Sequence, residues 1–300
     1  MAYTSGDIIL DNHYNDFATS VNAVWGTGSG DSGYGQGTTV SSVSAGSTIT
    51  AAQWTTLLSR ISSMASHQGS SITAISNPSA GDTISAYTAL STNIGTITTN
   101  RLSVASRQSV ANTNRDNTNT FTGTLTFTHK WAWGSANQAR YFFNAGGRLS
   151  ISGSQSGHGS DSKGNEWANL LSHAGTYYVY ANSSGKSGGA GSPTTNNTAN
   201  GFYQLTTSYV DYFKQFEDTG PYTANYVRWQ LRSADAGASV EASCVWVDAA
   251  ADTSYNKSIY TAYDQVEGTH RMTYGYEKHT TTYVSDAGGT ITVTGTATGS

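Results

Sequence analysis

The apolar residues of this chain shift from a three-to-four spacing in the first hundred or so residues to a mainly alternating one after about residue 124. Helical and extended elements bring different residue sets onto one face, so the change predicts two regions of different architecture. In DNHYNDFATSVNAVW, Tyr14, Phe17, Val21 and Val24 or Trp25 form one stripe, Asp11 is placed as the N-cap and the run from Gly26 ends the helix. In ITAAQWTTLLSRISSMA, Thr50 and Gln53 have the spacing of a capping box, and Ile49 and Trp54 that of a hydrophobic staple. Trp54, Leu57, Leu58, Ile61 and Met64 then share a face. Ser85 to about Leu102 reads as a weaker, threonine-rich helix. SAGSTITA (44–51) and SAGDTISA (79–86) are near copies that lead into helical runs, one entry device used twice.

Residues 111–124 are polar throughout and read as a linker between a helical region, 1–110, and a strand-rich region, 125–300. In the latter, GTLTFTHKWAW, GGRLSISGS, YVRWQLRS, SVEASCVWV and RMTYGYEKH alternate apolar with polar residues between turn signals. NEWANLLSHAG breaks the alternation with a helix near 165–175 that Gly175 ends. The expected fold class is α+β: a small helical N-terminal region followed by a mainly antiparallel β-sandwich with one wet face per sheet.

Charged residues make up only 11% of the chain, so hydroxyls and amides must solubilise its surface. A net charge of −4 without a Lys/Arg cluster argues against nucleic acid as a partner. The single cysteine, Cys244, excludes an internal disulfide and a thiolate zinc cluster. No apolar run is long enough to span a membrane and the N-terminus shows no signal-peptide pattern, so no membrane partner is expected.

WGTGSGDSGYGQG (25–37) contains two motifs that could carry chemistry. Gly28, Gly30 and Gly33 match G-x-G-x-x-G, but a helix rather than a strand precedes them and no helix follows, so the dinucleotide reading fails. Gly30-Asp31-Ser32-Gly33 spells the GDSG of chymotrypsin-like proteases, but only His13 lies upstream. The stretch therefore reads as a glycine loop between helical segments. The scattered histidines form no metal motif, although His158 and Asp161 share one loop that could meet a cation or another surface ligand. No cofactor is expected. A distant carboxylate pair is not excluded by spacing. Trp131 and Trp133 read as core, interface or a platform for a glycan.

YFFNAGGRLSISGSQSG (141–157), EWANLL, AGTYYV, GFYQLTTSYVDYFKQ (201–215) and PYTANYVRWQLRS (221–233) resemble recurring segments of virion structural proteins of tailed phages, cyanophages included. The N-terminal GDIILDNHYNDFATSVNAVWGTGSGDSGYGQ looks like the start of such proteins. The resemblance implies a non-enzymatic structural protein of the virion and no precise position in it; made in the host cytoplasm, the chain is expected to be a tail, neck or fibre-type component. Its partners would be other virion proteins and copies of itself, in trimers for example. Tyr14, Phe17, Trp25, Trp54 and Leu58 are the expected assembly interface. A capsid decoration or minor capsid protein, a carbohydrate-binding adhesin that meets host glycans, and a hydrolase are the alternatives.

Overall fold

The computed structural model describes residues 10–79, 86–158, 162–252, 254–257 and 260–299, without the side chains of 162, 254–257 and 260–263. In chain order the elements are α1 (Asp11–Trp25), α2 (Ala51–Gln68), α3 (Tyr87–Thr99), β1 (Arg107–Asn117), β2 (Gly123–Ala132), α4 (Ala136–Asn144) and β3 (Arg148–Ser156). Then come α5 (Ser162–Ala174), β4 (Thr176–Val179), β5 (Ser184–Ser187), β6 (Thr195–Asn196), β7 (Val210–Phe216), β8 (Tyr226–Ala234) and β9 (Ser239–Asp248). The last are β10 (Ser254–Lys257), β11 (Tyr260–Tyr263), β12 (Thr269–His279), β13 (Thr292–Thr294) and β14 (Ala297–Gly299). The fold is α+β.

The chain divides into two compact units. One comprises Met1–Gln108, Arg140–Gly147 and Lys278–Gly289, the other Ser109–Ala139, Arg148–Glu277 and Thr290–Ser300. The helical unit thus draws two short segments from far along the chain, for which apolar periodicity gives no signal. Its α2 starts as the capping box requires: Gln53 N donates to Thr50 Oγ1 at 3.2 Å and Thr50 N to Gln53 Oε1 at 2.9 Å. Helix α1 starts one residue earlier than expected. Asp11 is its first residue, and its carboxylate takes the amide of Gly46 at 2.6 Å.

Three asparagines fix the segments between the helices. Asn15 and Asn22 of α1 each exchange two hydrogen bonds with one backbone position, Val43 and Val40 respectively, all at 2.8–2.9 Å. Asn93 of α3 does the same with Thr73. Each amide imitates a strand neighbour, pairing the N–H and C=O of a segment that has no strand beside it.

In the other unit one sheet runs β1-β12-β3-β4-β5 and a second runs β13-β2-β9-β8-β7-β6, with β14 also on β2; β10 and β11 form a separate pair. The strand pairs from β2 onward are all antiparallel among the described residues. The sheets meet through large side chains. Tyr177 of β4 lies 5.8 Å from Phe213 and 6.0 Å from Trp229, His129 of β2 stacks on Tyr274 of β12 at 4.3 Å, and Trp246 Nε1 donates to Met272 Sδ at 3.3 Å. Helix α5 covers one end, with Trp167 stacked on Trp246 at 5.4 Å. The C-terminal strands pair with β2 of their own chain, Val293 opposite Trp131 and Ala297 opposite Phe127.

Within the stretch expected as a linker, residues 111–117 belong to β1. Being the terminal strand of its sheet and exposed over most of its length, β1 needs no apolar alternation, so its sequence carries no strand period.

Candidate functional site

The two most distinctive motifs of the sequence meet inside the helical unit. Gly28 and Gly33 have φ of +50° and +96°, and a Cβ on either would lie 2.3–2.7 Å from backbone of the other arm of the turn. Only glycine permits that approach. The turn directs its carbonyls at α4: Arg140 Nε donates to Gly30 O at 3.0 Å, and its Nη2 to Ser32 O at 3.1 Å and Thr27 O at 3.2 Å. Asn144, fully buried within FFNAGG, donates through Nδ2 to Gly33 O at 3.0 Å and Gly30 O at 3.3 Å. Arg101 closes the outer side with a 2.7 Å ion pair to Asp31.

This arrangement is a clasp. Its carbonyls point at cationic and amide donors, the reverse of the amide cradle a phosphate requires. Ser32 Oγ donates to Ala23 O at 2.7 Å, tying the hydroxyl of the GDSG motif to the end of α1. FFNAGG is distinctive because Asn144 must reach two carbonyls over a hundred residues earlier in the chain.

The most charged constellation lies elsewhere, in the sandwich unit. Lys163 at the start of α5 has no exposed side-chain surface. Its Nζ is 2.9 Å from Asp248 Oδ2, contacts Asp252 and donates to Ala250 O at 3.3 Å. Its backbone N–H donates to Asp264 Oδ2, which also accepts from Tyr222 Oη at 2.7 Å. Burial works against the Lys163 charge, but hydrogen bonds to Asp252 and Asp248 outweigh it and hold its pKa above the ordinary lysine value. Burial pushes the Glu166 carboxyl upward, with Glu217 and Asp264 adding repulsion and the Tyr222 amide opposing. With Lys163 closed off from solvent, this network anchors α5 to the end of β9.

The expected assembly stripe is spent inside the molecule. Tyr14, Phe17, Trp25 and Trp54 are 7% exposed or less and form one core with Val21, Leu57, Ile61 and Leu90. Three helices in so small a unit bury their stripes against each other, so these side chains cannot dock a partner. Leu58 alone of the five reaches the surface, beside a shallow serine-lined groove of about 460 Å³ that it shares with Ile75 and Tyr283. Trp131 and Trp133 are 0% and 4% exposed, which removes them as a ligand platform; both occupy inward positions in or just past β2. His158 is half-buried, and Asp161 lies outside the described residues. Among the described residues no group of three or more His, Cys, Asp or Glu is arranged to hold a metal ion, and no helix is long and apolar enough to cross a membrane.

No protein-family model, curated protein or solved structure matches this chain. The functional reading therefore rests on its residues and geometry.

Sequence reasoning missed β1 as a surface of interest. Its burial pattern shows seven of its residues exposed and none buried, and Val110 is 46% exposed. Cross-strand contacts fix its antiparallel register on β12: Asn114 accepts from Thr273 Oγ1 at 3.0 Å and Asp116 pairs with Arg271 at 2.7 Å. The absence of proline and lysine from RQSVANTNRDN was the available signal.

Proposed function

We propose that this chain is a non-enzymatic structural subunit of a tailed-phage virion, of the tail, neck or fibre type, that associates with copies of itself along the edge of β1. The class comes from the resemblance of its FFNAGG-containing segments to virion proteins. The observation that carries self-association is β1: eleven residues at the end of a sheet, exposed along most of their length and without the proline or lysine that commonly guards an edge strand. A second copy of β1 is a suitable partner. A two-fold axis through Asn112, perpendicular to the sheet, sets Val110 opposite Asn114, Gln108 opposite Asp116 and Ser109 opposite Arg115. No like charges meet in that register, and few charged groups need desolvation.

The double substitution Val110→Lys with Asn112→Lys tests this reading. It brings like charges together across the axis while altering only exposed side chains. We expect light scattering to give a defined oligomer for the natural chain and a monomer for the variant, with equal melting temperatures. Equal masses for the two proteins would overturn the reading.

A further inference from the structure

We infer that the outward face of the five-stranded sheet binds an uncharged, polyhydroxylated ligand, a glycan chain. The registers of β12, β3 and β4, with the β1 contacts, place Asn112, Asn114, Thr273, Ser150, Ser152 and Thr176 on one face. Each hydroxyl is a donor and an acceptor, and each amide offers both, which matches the alternating demands of sugar hydroxyls. At the centre of the face is Gly275, where a Cβ would lie 2.3 Å from Asn112 Oδ1 and 2.6 Å from Ser150 Oγ. The Asn112 and Ser150 side chains therefore close over the glycine backbone, and polar groups cover the centre of the face.

The charges on this face cancel in pairs. Arg148 holds Glu277 bidentately, with both contacts at 2.9 Å, and Arg271 holds Asp116 in the same way at 2.7 Å. The two pairs lie near opposite ends of β12, six residues apart, so roughly 20 Å of neutral surface separates them. An anionic polymer gains nothing from such a face. A protein partner would want the apolar and aromatic centre typical of interfaces, and among the described residues of this face the one sizeable aliphatic side chain is Val110, at the margin.

Rings are present at one end only. Arg148 Cζ lies 3.8 Å over the Tyr178 ring, and its Nη1 donates to Tyr180 Oη at 3.1 Å. Both tyrosines are half-buried, and their rings are 6.2 Å apart and tilted by 36°. Tyr178 stands opposite Ser150 on one side and Gly185 on the other, so small neighbours leave its ring room. This tier of two rings and a guanidinium is the wall against which a sugar would rest, with the hydroxyl field extending beside it.

The test uses the full chain with four probes: neutral hexasaccharides of α-1,4-glucose, β-1,4-glucose and β-1,4-N-acetylglucosamine, and a sulfated hexasaccharide. Binding is followed by saturation-transfer NMR and titration. At least one neutral probe should bind. Tyr178→Ala should weaken it by about tenfold or more, as loss of a central ring does at other recognition surfaces. Ser152→Lys, which removes no packing, should weaken it comparably with an unchanged melting temperature. Failure of all neutral probes to bind, binding untouched by both variants, or preference for the sulfated probe would each overturn the inference.

Discussion

Replacing Lys163 with methionine should destabilise the sandwich unit by about 3–5 kcal/mol, because it strands a buried carboxylate. The side chains of Lys163 and Asp248 are 0% and 3% exposed. Without the ammonium group Asp248 must either remain charged in a poor dielectric or take up a proton, and both are unfavourable at neutral pH. Asp252, 26% exposed, can turn to water and contributes less to the loss. Adding Asp248→Leu to Lys163→Met should recover most of the stability, since the stranded charge dominates the penalty. Urea unfolding at pH 7 measures both variants. A loss below about 1 kcal/mol for the single variant would place the interaction in the class of surface ion pairs.

Acid should unfold the protein well above the range in which carboxylates alone titrate. Burial lowers the pKa of His67 to about 4, with the neighbouring His279 adding repulsion and the Ala145 carbonyl opposing. Burial lowers His129 to about 3, helped by the positive charge of Arg115, and lowers His270 to about 4 with the nearby Asn119 backbone opposing. His279 is lowered too, again chiefly by burial. In each case the unfolded chain, with histidine near 6.5, binds protons before the folded one does. Their contribution is therefore fully present above pH 6.5 and is lost as pH falls from 6.5 towards 4. Each of the three with a stated value gives up as much as about 3 kcal/mol by pH 4. Urea midpoints at pH 7.5, 6 and 5 should fall steeply. His129→Phe, which keeps a ring against Tyr274, should flatten the decline. A midpoint independent of pH over that interval would show that these histidines are not held neutral.

The parts of the fold that were legible in the sequence are those whose cause is local. The capping box at Thr50 and Gln53 and the alternation in β2, β8, β9 and β12 report contacts within a few residues or the burial of one face. The stripes of α1 and α2 were equally visible, but a stripe does not say what covers it, and Tyr14 and Trp54 are covered by each other, with rings 6.0 Å apart. Trp131 was ambiguous for the same reason. The clasp was illegible because Arg140 and Asn144 meet a loop more than a hundred residues away. The β1 edge escaped notice because exposure on both faces removes the period that marks a strand. What would have pointed to it is a polar run without proline, lysine or glycine, whose composition suits a sheet edge as well as a tether.

The most direct test of assembly through β1 is a cysteine placed on the proposed two-fold axis. Cys244 is buried, and burial pushes its thiol up to about 12, so a thiol introduced by Asn112→Cys is the accessible one. Under mild oxidation we expect Asn112→Cys to give disulfide-linked dimers in high yield, with Ser109→Cys, away from the axis, giving few. Equal yields at both positions, or none at residue 112, would contradict pairing through this edge.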